Sequence, residues 1–202
     1  MPTTFLISDT HFGHEKTCTT FKREDGSPLR PFGSAEEMDE FMVRSWNDRV
    51  QPTDKVYHLG DVVINRKFLH ILGRLNGDKV LIRGNHDIFK LEDYTAYFRD
   101  IRGYHVMDGL IFSHVPVHAD SLGRFGANVH GHLHANRVRL PKKIDRLGSC
   151  AEIVYSDVID PRYQCVCVEH TNYAPISLDE VHSRIKDEGG SIGFKNGNQA
   201  VM

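Results

Sequence analysis

Gly84-Asn85-His86-Asp87 sets three side chains able to bind a metal ion or handle a proton directly behind the apolar run Val80-Leu81-Ile82. Asn offers a neutral oxygen ligand, His a proton near neutral pH, and Asp an acceptor that could orient the His. The pattern recurs four times. Phe5 to Ser8 runs into Asp9-Thr10-His11, and Val56 to Leu59 into Gly60-Asp61. Leu110 to Ser113 runs into His114, and Ala127 to Val129 into His130-Gly131-His132-Leu133-His134. One such site alone is explained by a polar turn; five apolar runs ending in Asp, Asn or His are not explained by core packing.

Asp9 and His11 are two residues apart, so in an extended segment both project to one side and can grip one ion together. Asp61 follows glycine at a strand end, where a carboxylate can offer an oxygen to each of two ions. Asn85 adds a carbonyl oxygen, and His114, His132 and His134 add imidazole nitrogens. This thiolate-free O/N set suits Mn²⁺, Fe, Ni²⁺ or Zn²⁺ in a catalytic site better than a structural zinc site.

The elements that must carry these residues alternate as an α/β layered fold requires. A strand ends at Ser8, followed by a polar loop over residues 9–33 that carries His14 and Arg30. Ser34 and Glu37 have capping-box spacing, and Met38, Phe41, Met42, Ser45 and Trp46 predict a helix that stops before Pro52. Further strands are expected at Lys55–Leu59 and Lys79–Ile82, with a helix marked by Phe68, Leu69, Leu72 and Leu75 between them. Tyr104–Met107 and Leu110–Ser113, joined by Asp108-Gly109, predict a β-hairpin. Later strands end near His130 and cover Gln164–Glu169, and Ser177 or Asp179 starts a last amphipathic helix through Ile185. Residues 1–188 read as a single domain and 189–202, rich in Gly, Asn and Ser, as a flexible C-terminal tail.

A chain of 202 residues with formal net charge −2 can bury a sizeable core and is no strongly basic polyanion binder. Its four cysteines, Cys18, Cys150, Cys165 and Cys167, lack a C-x-x-C pair, so free thiols in a reducing compartment are expected. No apolar run approaches the ~20 residues of a membrane span, and polar residues interrupt the chain from Ser8 onward, which speaks against a signal peptide. A cytoplasmic protein without a membrane partner is expected. Arg137, Arg139, Lys142, Lys143 and Arg146 form a basic run behind the last histidine pair that could be a solvated face or steer an anion.

The ordered set Asp9-x-His11, Gly60-Asp61, Gly84-Asn85-His86-Asp87, Ser113-His114 and Gly131-His132-x-His134 resembles the calcineurin-like metallophosphoesterase family. Arg30-Pro31-Phe32, Trp46-Asn47, His58-Leu59-Gly60-Asp61 and Tyr173-Ala174-Pro175-Ile176 resemble a compact bacterial and phage subgroup of it. The resemblance implies a four-layer α-β-β-α sandwich: two facing mixed β-sheets flanked by helices, with a dinuclear metal site at the strand carboxyl ends. It implies one ion on Asp9, His11, Asp61 and His134, and another on Asp61, Asn85, His114 and His132. His86 matches the general acid, with Asp87 beside it, and His14 and Arg30 are weaker candidates for substrate contact. The chain departs from the family's protein phosphatases, which read Gly-Asp-x-x-Asp-Arg-Gly where this one reads Gly60-Asp61-Val62-Val63-Ile64-Asn65-Arg66. They also have Glu at the place of Asp87.

The expected activity is a metal-dependent phosphodiesterase acting on a small nucleotide-like diester, by direct attack of metal-bound hydroxide with two divalent ions, Mn²⁺ first among them. A phosphomonoesterase, a nuclease on the same metal core, and a non-catalytic scaffold using the fold are the alternatives. Duplex nucleic acid is not an expected partner, since no large accessory region is available to grip it.

Overall fold

The structure, a computed structural model, describes residues 2–141 and 155–193. Strands β1 (Thr4–Ile7), β2 (Lys55–His58), β3 (Asp78–Ile82) and β4 (Asp100–Arg102) run parallel as the body of a first sheet. The hairpin β5 (Tyr104–Met107) and β6 (Leu110–Ser113) opens the second sheet, and β7 (Ala127–His130) lies parallel to β6. After a two-stranded ribbon, β8 (Arg139–Pro141) with β9 (Tyr155–Ile159), strand β10 (Tyr163–Cys165) extends the second sheet beside β7. Strand β11 (Ile176–Ser177) returns to the first sheet, antiparallel to β1. Both sheets are mixed, and they face each other.

The apolar runs are continuous because the first sheet is covered on both sides. Phe5, Ile7, Val56 and Leu81 point outward into one cluster, whereas Leu6, Tyr57, Val80 and Ile82 point inward to meet Leu110, Phe112, Ala127 and Val129 of the second sheet. The outward cluster is closed by helix α2 (Ala35–Arg49), which follows the one-turn α1 (Lys16–Thr19) in the chain and presents Met38, Met42 and Trp46 to the sheet. Ser34 caps α2, accepting the Glu37 N–H at 3.1 Å. The Glu37 carboxylate reaches back to the Gly33 amide at 2.8 Å, so only one half of the expected reciprocal box forms.

Two further elements differ from the sequence expectation. Residues Arg66–Arg74 form a 3₁₀ helix rather than an α-helix. Leu69, Leu72 and Leu75 are all buried and each three apart, which a three-residue turn places along one edge. The expected strand through Glu169 stops at Cys165 because the chain leaves the second sheet there and crosses to the first. Ser8 N–H donates to Val166 O at 2.9 Å, and Val168 N–H donates to Ser8 O at 3.1 Å. This crossing joins the two sheets at the carboxyl end of β1, beneath Asp9.

A short helix, α3 (Leu91–Thr95), lies between β3 and β4, and α4 (Leu178–Asp187) ends the described fold. A complete capping box between Ser177 and Glu180 starts α4, and its Val181 and Ile185 enter the core between the sheets. The outer face of the second sheet is covered, among the described residues, by the 3₁₀ turn Ala119–Arg124 through Leu122 rather than by an α-helix. Residues 189–193, expected to be frayed, are tied down: Gly190 N–H donates to Ile185 O at 2.8 Å, and Ile192 packs on the inter-sheet core. Residues 194–202 lie outside the described residues. Among the described residues no helix is long and apolar enough to cross a membrane.

Candidate metal centre

All five polar strand ends converge at one edge of the sandwich. The ligand atoms of Asp9, His11 and His134 lie within 4.8 Å of one another, and so do those of Asp9, Asp61 and His114. Asn85 Oδ1 is 2.8 Å from His114 Nε2 and 2.9 Å from His132 Nδ1. Asp61 Oδ2 stands between these groups, 3.7 Å from His11 Nε2 and 3.4 Å from His114 Nε2.

The backbone at these positions is unusual. Eight non-glycine residues among those described have positive φ, and five are candidate ligands: Asp9 (58°), His11 (47°), Asp61 (59°), His132 (70°) and His134 (49°). A left-handed conformation at a side-chain-bearing residue costs on the order of 1–3 kcal/mol and persists where surrounding contacts over-determine it. Here the loops hold one another. Asp9 N–H donates to Gly60 O at 3.0 Å, His11 N–H to Asp61 O at 3.1 Å, and His132 N–H to Asp9 Oδ2 at 2.8 Å. Gly60, at φ +95°, lies against Gly84 so closely that a Cβ on it would stand 2.6 Å from Gly84 N and 2.7 Å from His114 Nδ1.

The residues fit a bound cation. Asp9 Oδ1 and both ring nitrogens of His11 are buried without a hydrogen-bond partner among the described residues, a loss of about 1–3 kcal/mol each that a divalent ion would remove. His114 Nδ1 lies 2.8 Å from Leu59 O and carries the proton, leaving Nε2 for a metal. His134 Nδ1 likewise faces Glu169 Oε1 at 3.2 Å, leaving its Nε2.

Electrostatics keep the carboxylates ionised. Burial opposes the charge on Asp9, but the His11 ring, its Nε2 3.6 Å from Asp9 Oδ1, and the charges of His114 and His134 hold the carboxyl well below the usual range. Burial also opposes charging His114, yet Asp61 and Asp9 raise its pKa to about 9. His14 goes the other way: burial, then His11, lowers it to about 4.

The remaining candidates divide. His86 is exposed, its ring edge-on to that of His11 at 5.7 Å, while its backbone N–H donates to Asp61 Oδ1 at 2.8 Å. His14 sits 5.6 Å from the His11 ring, beside the cleft. Asp87 does not orient His86. Its carboxylate is buried and accepts the backbone N–H groups of Asp61, Val62 and Gly84 at 2.8, 3.0 and 2.8 Å. Arg30, expected at the substrate, is fully buried behind the ligands. It donates to Glu169 Oε1 at 2.8 Å, Thr10 O at 2.7 Å and Asp9 O at 2.5 Å, so its role is to support the Asp9 loop. Arg137 and Arg139 are paired with Glu188 and Asp157. The rest of that basic run, Lys142, Lys143 and Arg146, lies outside the described residues.

Glu169 and Cys167 escape a reading of the sequence. Glu169 ties Arg30 to His134, and burial against its charge is overcome first by Arg30 and then by His134, which lower its pKa to about 2. Cys167 Sγ donates to Asp9 Oδ2 at 3.2 Å. The alternation of Cys165 and Cys167 is a local signal for the thiol, whereas Glu169 lies in a 3₁₀ turn, Val168–His170, that no strand pattern announces.

A model of calcineurin-like phosphoesterases matches residues 2–191. Uncharacterized protein MJ1445 of Methanocaldococcus jannaschii is 35% identical over 184 residues, covering 87% of this chain and 86% of that one. The crystal structure of a protein of unknown function, AQ665 from Aquifex aeolicus, matches with a TM-score of 0.64 at 24% identity, over 91% of this chain and 99% of that one. That likeness is one of fold.

Proposed function

The chain belongs to the calcineurin-like phosphoesterase family, and on that premise we propose that it is a two-ion phosphodiesterase acting on a small nucleotide-like diester. The family and the cluster of ligand-type side chains support a metal-dependent phosphoesterase. The observation that carries the two-ion reading is the place of Asp61 Oδ2, within 3.7 Å of both His11 Nε2 and His114 Nε2. Asp9, His11 and His134 would hold one ion, Asn85, His114 and His132 the other, and Asp61 both. Bound there, two divalent ions supply a lowered water pKa and positive charge opposite the phosphoryl oxygens. The O/N donor set suits Mn²⁺, Fe, Ni²⁺ or Zn²⁺, and Mn²⁺ is the ion proposed.

The chain's own residues do the rest. His86 gives a proton to the leaving oxygen from the exposed side of the cleft, and His14 reaches a phosphoryl oxygen. Hydrolysis is direct, because the hydroxyl and thiol closest to the ligands are already engaged: Ser8 Oγ and Cys167 Sγ both donate to Asp9 Oδ2. The preference for a diester rests on Arg30, whose guanidinium is turned inward and adds no charge for a dianionic monoester. The partner is a small molecule, neither a membrane nor a duplex. Buried free thiols at Cys18, Cys165 and Cys167 agree with a reducing, cytoplasmic setting.

Two measurements test the proposal. Elemental analysis of Mn²⁺-supplied protein should count two ions per chain, and rates on matched aryl mono- and diesters should favour the diester. One ion at saturating metal removes the bridging role of Asp61. Faster monoester turnover makes the protein a phosphomonoesterase, and two ions without turnover leave a scaffold.

A further inference from the structure

Beside Asn85 and His114 opens a cavity of about 540 Å³, within the size range of small-molecule sites. Ile111, Val117, Val115 and Tyr104 line it together with Arg83 and Gly103. Tyr104 is 63% and Val115 48% exposed, two large apolar side chains that the fold leaves open beside the centre. Strand pairing fixes where they stand: Tyr104 is opposite Ser113, one residue before His114, and Val115 is one residue after it.

We infer that this cavity receives the ester group of the substrate on the Asn85–His114 side, and that this group is a flat aromatic ring of the nucleobase class. The inference rests on the phosphoester reading of the centre, since an ion held by Asn85 and His114 would bring the phosphoryl group to the cavity's mouth. The lining selects the ring. Tyr104 offers an aromatic face, and Arg83 a planar cation already fixed in place, its Nε donating to Asp87 O at 2.7 Å and a terminal nitrogen to Phe89 O at 3.3 Å. A sugar-like group would find fewer partners, because the Ser113 hydroxyl is committed to Val115 O at 2.7 Å and Ser121 is the other hydroxyl of the lining. The larger groove beside His132 and His134 is lined instead by Lys22, Arg23, Glu24, Asp25 and Arg137, a surface suited to the hydrophilic half of a diester.

Two substitutions probe the cavity without touching the ligands or the core. Tyr104→Ala removes an exposed ring. Gly103→Phe fills the space: a Cβ there meets none of the described residues within 4 Å, and the glycine has no left-handed φ. The test is calorimetric binding of methyl(phenyl)phosphinate and dimethylphosphinate, both monoanionic like a diester and inert to hydrolysis, to the Mn²⁺-loaded full chain. The parent should bind the phenyl compound about tenfold more tightly, the worth of one well-packed aromatic contact. Both variants should lose most of that ratio while keeping the parent's affinity for dimethylphosphinate. A parent without aromatic preference, or variants that keep it, would overturn this inference alone. No binding of either phosphinate would overturn the phosphoester reading and the inference together.

Discussion

Asp87 and Asp61 lace two loops together in both directions. Asp87 Oδ2 accepts the Asp61 N–H at 2.8 Å, and Asp61 Oδ1 accepts the N–H of His86, the residue before Asp87, at 2.8 Å. The Gly60-Asp61 and Gly84-Asn85-His86 loops are thus one unit, and the left-handed conformation of Asp61 is held from both sides.

Asp87→Asn should therefore act on metal affinity. An amide nitrogen would face at least one backbone N–H, leaving a buried donor unmade at a cost of about 1–3 kcal/mol. The expected result is a lower Tm and weaker Mn²⁺ binding, with kcat at saturating Mn²⁺ nearly kept on esters of both good and poor leaving groups. Were Asp87 the partner that orients His86, the variant would instead lose rate selectively on the poor leaving group.

Glu169→Gln should separate support of a ligand from packing. It leaves the His134 Nδ1 contact geometrically possible but strips the charge that balances the buried Arg30. Stability should fall by about 3–5 kcal/mol, as when one partner of a buried pair is removed. Metal affinity should fall about 10–100-fold, the usual effect of losing a carboxylate behind a histidine ligand. The double variant Arg30→Met, Glu169→Leu should recover much of the stability and none of the affinity. Denaturant melts and Mn²⁺ titrations of both variants check this, and recovery of both together would make Glu169 a packing residue only.

These two residues also mark how far the sequence can be read. The convergence of Asp9, His11, Asp61, Asn85, His114, His132 and His134 at one edge is legible because ligand chemistry demands a few residue types and parallel strands deliver them at their ends. Arg30 and Glu169 are 139 positions apart, and nothing in either neighbourhood announces the other. Their meeting depends on the chain crossing between sheets at Ser8 and Val166, a long-range event without a local pattern. Asp87 is the opposite case. Its position beside His86 suggested a partnership, but the tight turn at Gly84 points its carboxylate back under Asp61. The same limit hides the 3₁₀ helix at Arg66–Arg74, whose spacing of three is compatible with both helix types over so short a run.

Asp39 should shape the pH dependence of stability. Buried, and accepting the Gly13 N–H at 3.0 and 2.9 Å with its two oxygens, it has its pKa raised by burial from 3.8 to about 6. The folded state then holds the Asp39 proton more tightly than the unfolded state, so stability falls as pH rises through the window from about 4 to 6. Below it the penalty is absent, and above it the penalty is complete. Asp39→Asn removes this titration. The stability difference, variant minus parent, should shift in the variant's favour by on the order of 1–2 kcal/mol between pH 4 and 6.5 and stay level above. Urea melts of both proteins across that range measure it, and a difference independent of pH would show that Asp39 does not titrate there.

His86 should separate proton transfer from metal binding. It is outside both proposed ligand sets, its side chain is exposed, and the bond that anchors its loop comes from its backbone N–H. His86→Ala should accordingly keep the Tm and the full metal content. On a diester with an alkoxide leaving group kcat should fall about 10²–10⁴-fold, the range for a positioned general acid. On the matching nitrophenyl ester, whose leaving group departs without a proton, most of that loss should vanish. Asp61→Ala gives the contrast, since it removes the carboxylate shared by both sets and should abolish metal occupancy and turnover on either ester. Rates of the two variants on the two substrates, taken with their metal content, decide the assignment. An equal His86→Ala defect on both esters, or loss of metal from that variant, would take the proton-donor role away from His86 and place it among the residues that build the centre.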